Sequence, residues 1–440
     1  MSGNDELIKI REEIFKKINE YYAIKFSERK FVPGKTPVRY AGRVFDSKEI
    51  KMATEAALDF WLTEGRFTEE FQERLAEYIG VEYAYLVNSG SSANLLALTS
   101  LTSSLLGDKR LKKGDEIITV AAGFPTTVNP IILNGMIPVF VDIEIPTYNI
   151  SVKEIERALT SKTRGIMIAH TLGNPFDLKQ VLEIAKSNNL FLIEDNCDAL
   201  GAEYGGRFTG SFGDVATCSF YPAHHITTGE GGAVLTSDET IARAIRSIKD
   251  WGRDCYCGPG ENNTCGRRFT QQYGRLPKGY DHKYVYSHIG YNLKATEFQA
   301  AIGVAQMSKL DNFINKRREN FQKWYTAFKH YENYFILPEK TAGSNPSWFA
   351  FIVTLREGLP FGRAELTSFL NENLIETRNL FAGNIVKQPA YMDIECRIVG
   401  ELRNTEYVMN NTFFLGVYPG ITDEMIEYTI DKVAEFLRRY

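Results

Sequence analysis

A chain of 440 residues, 44% of them apolar and 24% charged, is long enough to bury two sizeable cores, so disorder is excluded as its ground state. The net charge of −4 supplies no electrostatic footprint for a nucleic-acid backbone, and the short basic run Lys316-Arg317-Arg318 reads as the solvated face of a helix. No run of about 18 apolar residues occurs, and the first residues are charged, so a soluble cytoplasmic protein is expected. In that setting the six cysteines should be reduced, which makes disulfides improbable and clustered cysteines candidates for metal binding.

Residues 4–22 place Leu7, Ile10, Ile14, Ile18 and Tyr21 at helical spacing, an amphipathic helix that needs a body or a partner subunit to pack on. From about residue 50 the chain alternates helix with short apolar strand. Strands are expected at 84–87, 116–120, 139–142, 165–169, 191–194, 215–220 and 232–236, with helices at 92–106, 153–159 and 178–188. This is the pattern of a mostly parallel sheet with crossover helices. The apolar region 121–145 is broken by prolines and reads as core strands and turns. The glycine-rich segment 251–289 holds three cysteines and lacks periodicity; a loop of that length inside a compact domain is usually functional. Helices return at 295–310 and continue to about 332, and a last one over 422–439 is capped by Thr422. The chain divides into an N-terminal helix and arm (1–48), a large α/β domain (49–310) and a smaller α/β domain (311–440).

Parallel α/β sheets bind ligands at the carboxyl ends of their strands. Asn88-Ser89-Gly90-Ser91-Ser92 follows the first strand and opens a helix whose free N–H groups suit a phosphate. Asp195 ends the strand at 191–194, where a buried carboxylate calls for a cation or a protonated nitrogen. Ser219-Phe220-Tyr221-Pro222-Ala223-His224-His225 leads into the Gly229-Glu230-Gly231-Gly232 turn. Each element alone is an ordinary turn.

In order, they resemble the DegT/DnrJ/EryC-type sugar aminotransferase and dehydratase family of fold-type I pyridoxal phosphate enzymes, which have the aspartate-aminotransferase fold. The resemblance rests on Glu194-Asp195-Asn196-Cys197-Asp198-Ala199, Gly213-Asp214, Ser219-Phe220, the Glu230-Gly231-Gly232 turn and the run from Gly290 to Ala301, so it covers nearly the whole chain. It implies phosphate contacts at Gly90, Ser91 and Ser219, a ring stacked on Phe124, the ring nitrogen on Asp195 and the ring 3′-oxygen near Asp198. Asn292 would reach the phosphate of a second subunit, implying a homodimer with shared sites. Residues 378–384 and 418–420 would line a sugar-nucleotide pocket.

His225 is assigned to the position of the family's lysine, with His224 as a packing group. An imidazole cannot form the lysine's covalent link, but it titrates near neutrality and suits a proton carrier. The cofactor implied is pyridoxamine phosphate held without a covalent bond.

Cys197, Cys255, Cys257 and Cys265 are separated by 57, one and seven residues, and Cys218 and Cys396 fall outside the set. Four thiolates suit zinc or an iron–sulfur cluster, and spacing alone leaves both open. Cys197 lies two residues after Asp195, at most about 7 Å along the chain, so a metal there would sit near the cofactor ring. An electron-passing cluster has a use at that place.

Histidine and cysteines together resemble the family's branch of 3-dehydrases that act on CDP-4-keto-6-deoxyglucose in lipopolysaccharide synthesis. That resemblance implies a [2Fe–2S] cluster, an NAD(P)H-dependent flavin/iron–sulfur reductase as partner, and no nucleic acid or membrane. The alternatives are a dTDP-sugar 3-dehydrase, a zinc-stabilised homologue without activity, and a true aminotransferase.

Overall fold

The computed structural model describes residues 3–26, 30–258 and 260–440. The seven expected strands all form, each end within two residues of expectation: β1 (Tyr83–Val87), β2 (Glu116–Val120), β3 (Ile137–Val141), β4 (Thr163–Ala169), β5 (Phe191–Asp195), β6 (Val215–Ser219) and β7 (Gly232–Thr236). They stand side by side in the order β1-β7-β6-β5-β4-β2-β3. Pairs from β3 through β6 are parallel, whereas β7 runs antiparallel to both β1 and β6. The cause is local. No helix intervenes between β6 and β7, so the chain turns back instead of crossing over, and the turn carries the two histidines. Strands β2, β6 and β7 are buried at every residue, which is why they read as continuous apolar runs.

Several helices depart from expectation. The one predicted over 92–106 is Gly90–Ser100, followed by a 3₁₀ stretch in which Gly107 takes φ 57°. Within 121–145, read as strands and turns, Pro125–Leu133 is helical: Pro125 occupies the first turn, where its missing N–H costs nothing. The N-terminal helix Gly3–Lys25 packs on Ser47–Asp59, yet Leu7, Ile10 and Tyr21 remain 66%, 47% and 60% exposed.

A second, antiparallel sheet joins β8 (Phe335–Ile336), β9 (Ala350–Leu355), β10 (Arg378–Asn379) and, later in the chain, Thr412–Gly416. Its core gathers Trp324, Phe328, Phe335, Phe351 and Phe413 against the last helix, Asp423–Leu437, which Thr422 caps. Arg397–Ile398 returns to pair with β3 at the edge of the first sheet. Phe349, Ile352 and Phe414 share a core cluster with large-sheet residues such as Ile168, so the cleft between the sheets has packed walls. Among the described residues no helix is long and apolar enough to cross a membrane.

Candidate active site and thiol cluster

A cavity of about 950 Å³ opens at the carboxyl ends of β2, β4, β5 and β6 and is closed from the far side by Arg378, Asn379 and Phe381. At one end, Ser89 caps the helix Gly90–Ser100, its hydroxyl accepting from Ser92 N at 3.1 Å. Gly90 is required there: a Cβ would lie 2.4 Å from Cβ of Ser219. Gly90, Ser91 and Ser219 thus form one small-residue cradle, with helical N–H groups suited to an anion.

At the other end stands Asp195, 4% exposed. Its Oδ2 accepts from Asn94 Nδ2 at 2.8 Å and Thr127 Oγ1 at 2.6 Å, and its Oδ1 accepts from Cys197 N at 3.2 Å. Thr217 in turn donates to Asn94 at 2.6 Å. These donors hold a carboxylate in place while leaving it on the cavity wall, where a protonated ring nitrogen can meet it. Sequence reasoning missed Asn94 and Thr127; an asparagine inside the apolar run Ala93 to Leu98 was the available signal. Phe124 precedes the helix Pro125–Leu133 and presents its ring to the cavity, half exposed and edge-on to Phe381 at 5.6 Å.

The two histidines exchange places relative to the sequence assignment. His224 lines the cavity, with its Nδ1 3.5 Å from Asp198 Oδ1. His225 turns away. It is 3% exposed, and its Nε2–H donates to the Ser347 carbonyl at 2.8 Å. Neighbours on a tight turn project to opposite sides, so the residue facing the cavity is the one assigned to packing. Burial, reinforced by Arg317, pushes His224 down to about 4 and His225 well below the ordinary histidine range, so both rings are neutral near pH 7. Asp198 is pushed up to about 8 by burial and by Asp195, and therefore carries a proton there.

Arg317, expected on a solvated face, is 1% exposed. Its guanidinium donates to the carbonyls of His224 at 2.9 Å, Ala223 at 3.4 Å, Phe349 at 3.3 Å and Trp348 at 3.4 Å. It pins the histidine turn to the segment that His225 also grips. Charge in a basic triplet does not reveal which member points inward.

Three of the four predicted metal ligands converge. The sulfurs of Cys255, Cys257 and Cys265 lie within 4.8 Å of one another. Cys197 is not among them: it lines the cofactor cavity, its Sγ 3.9 Å from Thr217 Oγ1, and its thiol is pushed far up by burial and by Asp195. Within one chain, therefore, Cys197 does not join the other three thiols or bring them to the cofactor cavity. Cys255 and Cys257 instead border a separate cleft beside Glu64, Arg246 and Lys249. Asn292 is exposed, paired through its backbone with Asp250, and outside its own chain's cavity. Of the presumed sugar-nucleotide segments, Arg378, Asn379, Phe381 and Ala382 line the cavity, whereas Tyr418 and Pro419 do not.

A doubly layered α/β sheet with an anion cradle, a fixed aspartate and a second-sheet wall defines the fold-type I pyridoxal phosphate class. Within it, the chain belongs to the DegT/DnrJ/EryC1/StrS aminotransferase family, which it matches over residues 44–434. It is 54% identical over 427 residues to the lipopolysaccharide biosynthesis protein RfbH of Salmonella typhimurium LT2, covering 97% of this chain and 98% of that protein. It is 49% identical to the dTDP-4-dehydro-2,6-dideoxy-D-glucose 3-dehydratase of Saccharopolyspora spinosa, covering 98% of this chain and 92% of that one. The structure of an E. coli GDP-4-keto-6-deoxy-D-mannose 3-dehydratase with bound hydrated PLP superposes with a TM-score of 0.81 at 29% identity, covering 90% of this chain and 100% of the other.

Proposed function

We propose that the protein is a pyridoxamine phosphate-dependent 3-dehydratase of a nucleotide-linked 4-keto-6-deoxyhexose, with CDP as the nucleotide and 3,6-dideoxyhexose synthesis as its purpose. The observation that carries this reading is a histidine, not a lysine, on the cavity wall beside Asp198, in the same cavity as Asp195, the carboxylate suited to a ring nitrogen. The cradle that a Cβ at Gly90 would fill and the buried carboxylate of Asp195 suit a phosphorylated pyridine. Relatives named as 3-dehydratases and as a lipopolysaccharide protein support the substrate class. A dTDP-linked substrate is the second reading, favoured by the S. spinosa relative.

The roles follow from the geometry. Gly90, Ser91 and Ser219 hold the phosphate, Phe124 covers the ring, and Asp195 keeps a proton on the ring nitrogen. Bound pyridoxamine phosphate supplies an amine for the sugar ketone and an electron sink for loss of the C3 hydroxyl. His224, neutral near pH 7, takes a proton from C4′ of the cofactor, and Asp198 beside it holds a proton that the imidazole can exchange. The sulfurs of Cys255, Cys257 and Cys265 are soft donors close enough to share a [2Fe–2S] cluster, which would take electrons from an NAD(P)H-dependent reductase. Asn292, outside its own cavity, is free to serve a partner's phosphate in a homodimer.

The test is incubation of the protein with pyridoxamine phosphate and CDP- or dTDP-4-keto-6-deoxyglucose in ¹⁸O water, without reductase. Exchange of label into the C3 hydroxyl is expected, faster with CDP. Amino transfer from glutamate without C3 exchange would overturn the reading.

A further inference from the structure

We infer that Arg378 binds the diphosphate of the nucleotide-linked substrate, on the cavity wall that faces the strand ends. The inference rests on the reading of the substrate as a nucleoside diphosphate sugar and names the side chain that recognises its charged part.

The cavity has to admit two anionic groups, the phosphate of the cofactor and the diphosphate of the substrate. The cradle of Gly90, Ser91 and Ser219 serves the first with helical N–H groups and hydroxyls. A diphosphate diester adds a negative charge on each phosphate. Asp195 is committed to the ring nitrogen, and Glu230, which also lines the cavity, repels those charges. His224 is neutral near pH 7 and offers no compensation. Among the described residues that line the cavity, Arg378 is the single side chain with a permanent positive charge.

The guanidinium is oriented and left open. Its carbon lies 4.1 Å from the centroid of the Tyr40 ring, another cavity residue, and that stacking sets the plane of the fork. Nη1 donates to the Thr377 carbonyl at 2.8 Å. The nearby carboxylate of Glu376 pairs with Arg39 at 3.4 Å instead, and among the described residues no carboxylate forms an ion pair with Arg378. Arg317, which serves the fold, spends its donors on the carbonyls of Ala223, His224, Trp348 and Phe349, whereas Arg378 spends Nη1 alone. The free Nε–Nη2 edge is the geometry that meets adjacent phosphate oxygens side by side. The turn that follows points the same way. Phe381 takes φ 45°, a left-handed backbone unusual for phenylalanine, and its N–H bonds to the Asn379 carbonyl at 2.7 Å. Its ring stands edge-on to Phe124, so the strand end that carries Arg378 is fixed against the aromatic assigned to the cofactor ring.

The experiment is calorimetry on full-length protein loaded with pyridoxamine phosphate, with CDP, dTDP, cytidine and inorganic pyrophosphate as probes. Wild type is expected to bind CDP at least about tenfold more tightly than cytidine, to lose that preference as salt rises, and to release CDP to pyrophosphate. Arg378→Gln should lose about 10- to 100-fold in affinity for CDP and dTDP alike while keeping its affinity for cytidine, because the fork meets the diphosphate and not the base. Arg378→Lys should recover part of the loss, a point charge replacing a fork, and carries the test if the glutamine variant does not fold. Tyr40→Phe should stay near wild type, whereas Tyr40→Leu should bind CDP several-fold more weakly. In C3 exchange the Arg378 variants should raise KM far more than they lower kcat. An Arg378→Gln protein that keeps the wild-type preference for CDP over cytidine, or that loses both affinities equally, would overturn the assignment. Wild-type protein that prefers neither CDP nor dTDP to its nucleoside would refute the nucleotide-linked substrate itself, and this site with it.

Discussion

Replacing the two adjacent histidines separately tests which of them moves the proton. His224→Asn removes the imidazole facing the cavity, while its neighbour still anchors the turn to Ser347. Loss of a positioned general base costs roughly 10²–10⁴ in rate, or about 3–5 kcal/mol of barrier. The expected result is a fall of that size in kcat for C3 exchange, with cofactor affinity and melting temperature nearly unchanged. His225→Asn should behave oppositely. Its shorter amide does not reach the Ser347 carbonyl that Nε2 meets and fills less of a site that is 3% exposed, so a stability loss of about 2–3 kcal/mol and less than tenfold in kcat are expected. His224→Lys completes the set: an amine at that place should capture pyridoxal phosphate in a link that borohydride fixes, whereas His225→Lys should not. The assay is single-turnover ¹⁸O exchange with a parallel thermal melt. A large loss of rate in His225→Asn with near-normal His224→Asn, or a borohydride-trapped cofactor in His225→Lys alone, would refute the placement.

Gly90→Ala forces a Cβ to within 2.4 Å of Ser219 Cβ, so cofactor affinity should fall at least tenfold while the melting temperature of the apoprotein drops modestly; equilibrium dialysis with pyridoxamine phosphate measures the first. Asp198, raised to about 8, binds a proton when folded that it lacks when unfolded, so the apoprotein should lose stability as pH rises from about 7 to 8, by about 1 kcal/mol. In that window His224 is largely neutral in both states, and urea melts should show Asp198→Asn losing less than wild type. Arg317→Met should lower kcat more than it raises KM and shift the acidic limb of the kcat profile to higher pH, because the guanidinium, after burial, holds His224 down; Arg317→Lys should recover part of both. Mixed subunits carrying Asn292→Ala and His224→Asn should regain activity that neither parent has, if sites are shared, and proven subunit exchange without recovery would count against the dimer proposal.

The sheet was legible because buried parallel strands leave continuous apolar runs bounded by turns, and the cradle because a small-residue turn opens a helix at a strand end. What escaped the sequence has a common cause. His224 and His225, and the members of the 316–318 triplet, differ only in which way a side chain points, and neither a turn nor a run of like charges carries a rule for that. Asn94 and Thr127 escaped differently: their role depends on a strand about a hundred residues away in the case of Asn94, whose amide reaches Asp195 only once β1 and β5 share a sheet. The antiparallel β7 was inferable from the β6–β7 connection, whose proline and glycines leave it without a helical pattern for a crossover.

The loop expected to be irregular has an ordered stem, and the stem links the two proposals that reach beyond one cavity. Leu293 N–H bonds to the Lys249 carbonyl, Trp251 N–H to Tyr291 and Asp254 N–H to Val285, with bridges between Asp250 and Asn292 and between Arg253 and Tyr286. These contacts make a two-stranded ribbon with Asn292 near its base and Cys255 just past its end. From residue 250 to residue 254 the ribbon spans roughly 13 Å at about 3.3 Å per residue. In the proposed dimer, with Asn292 at the partner's phosphate, the thiol cluster would stand about one ribbon length from that contact. If those thiols hold the proposed cluster, its electrons would enter the site across the subunit boundary, a route compatible with three sulfurs that stand apart from Cys197 and from the cavity of their own chain.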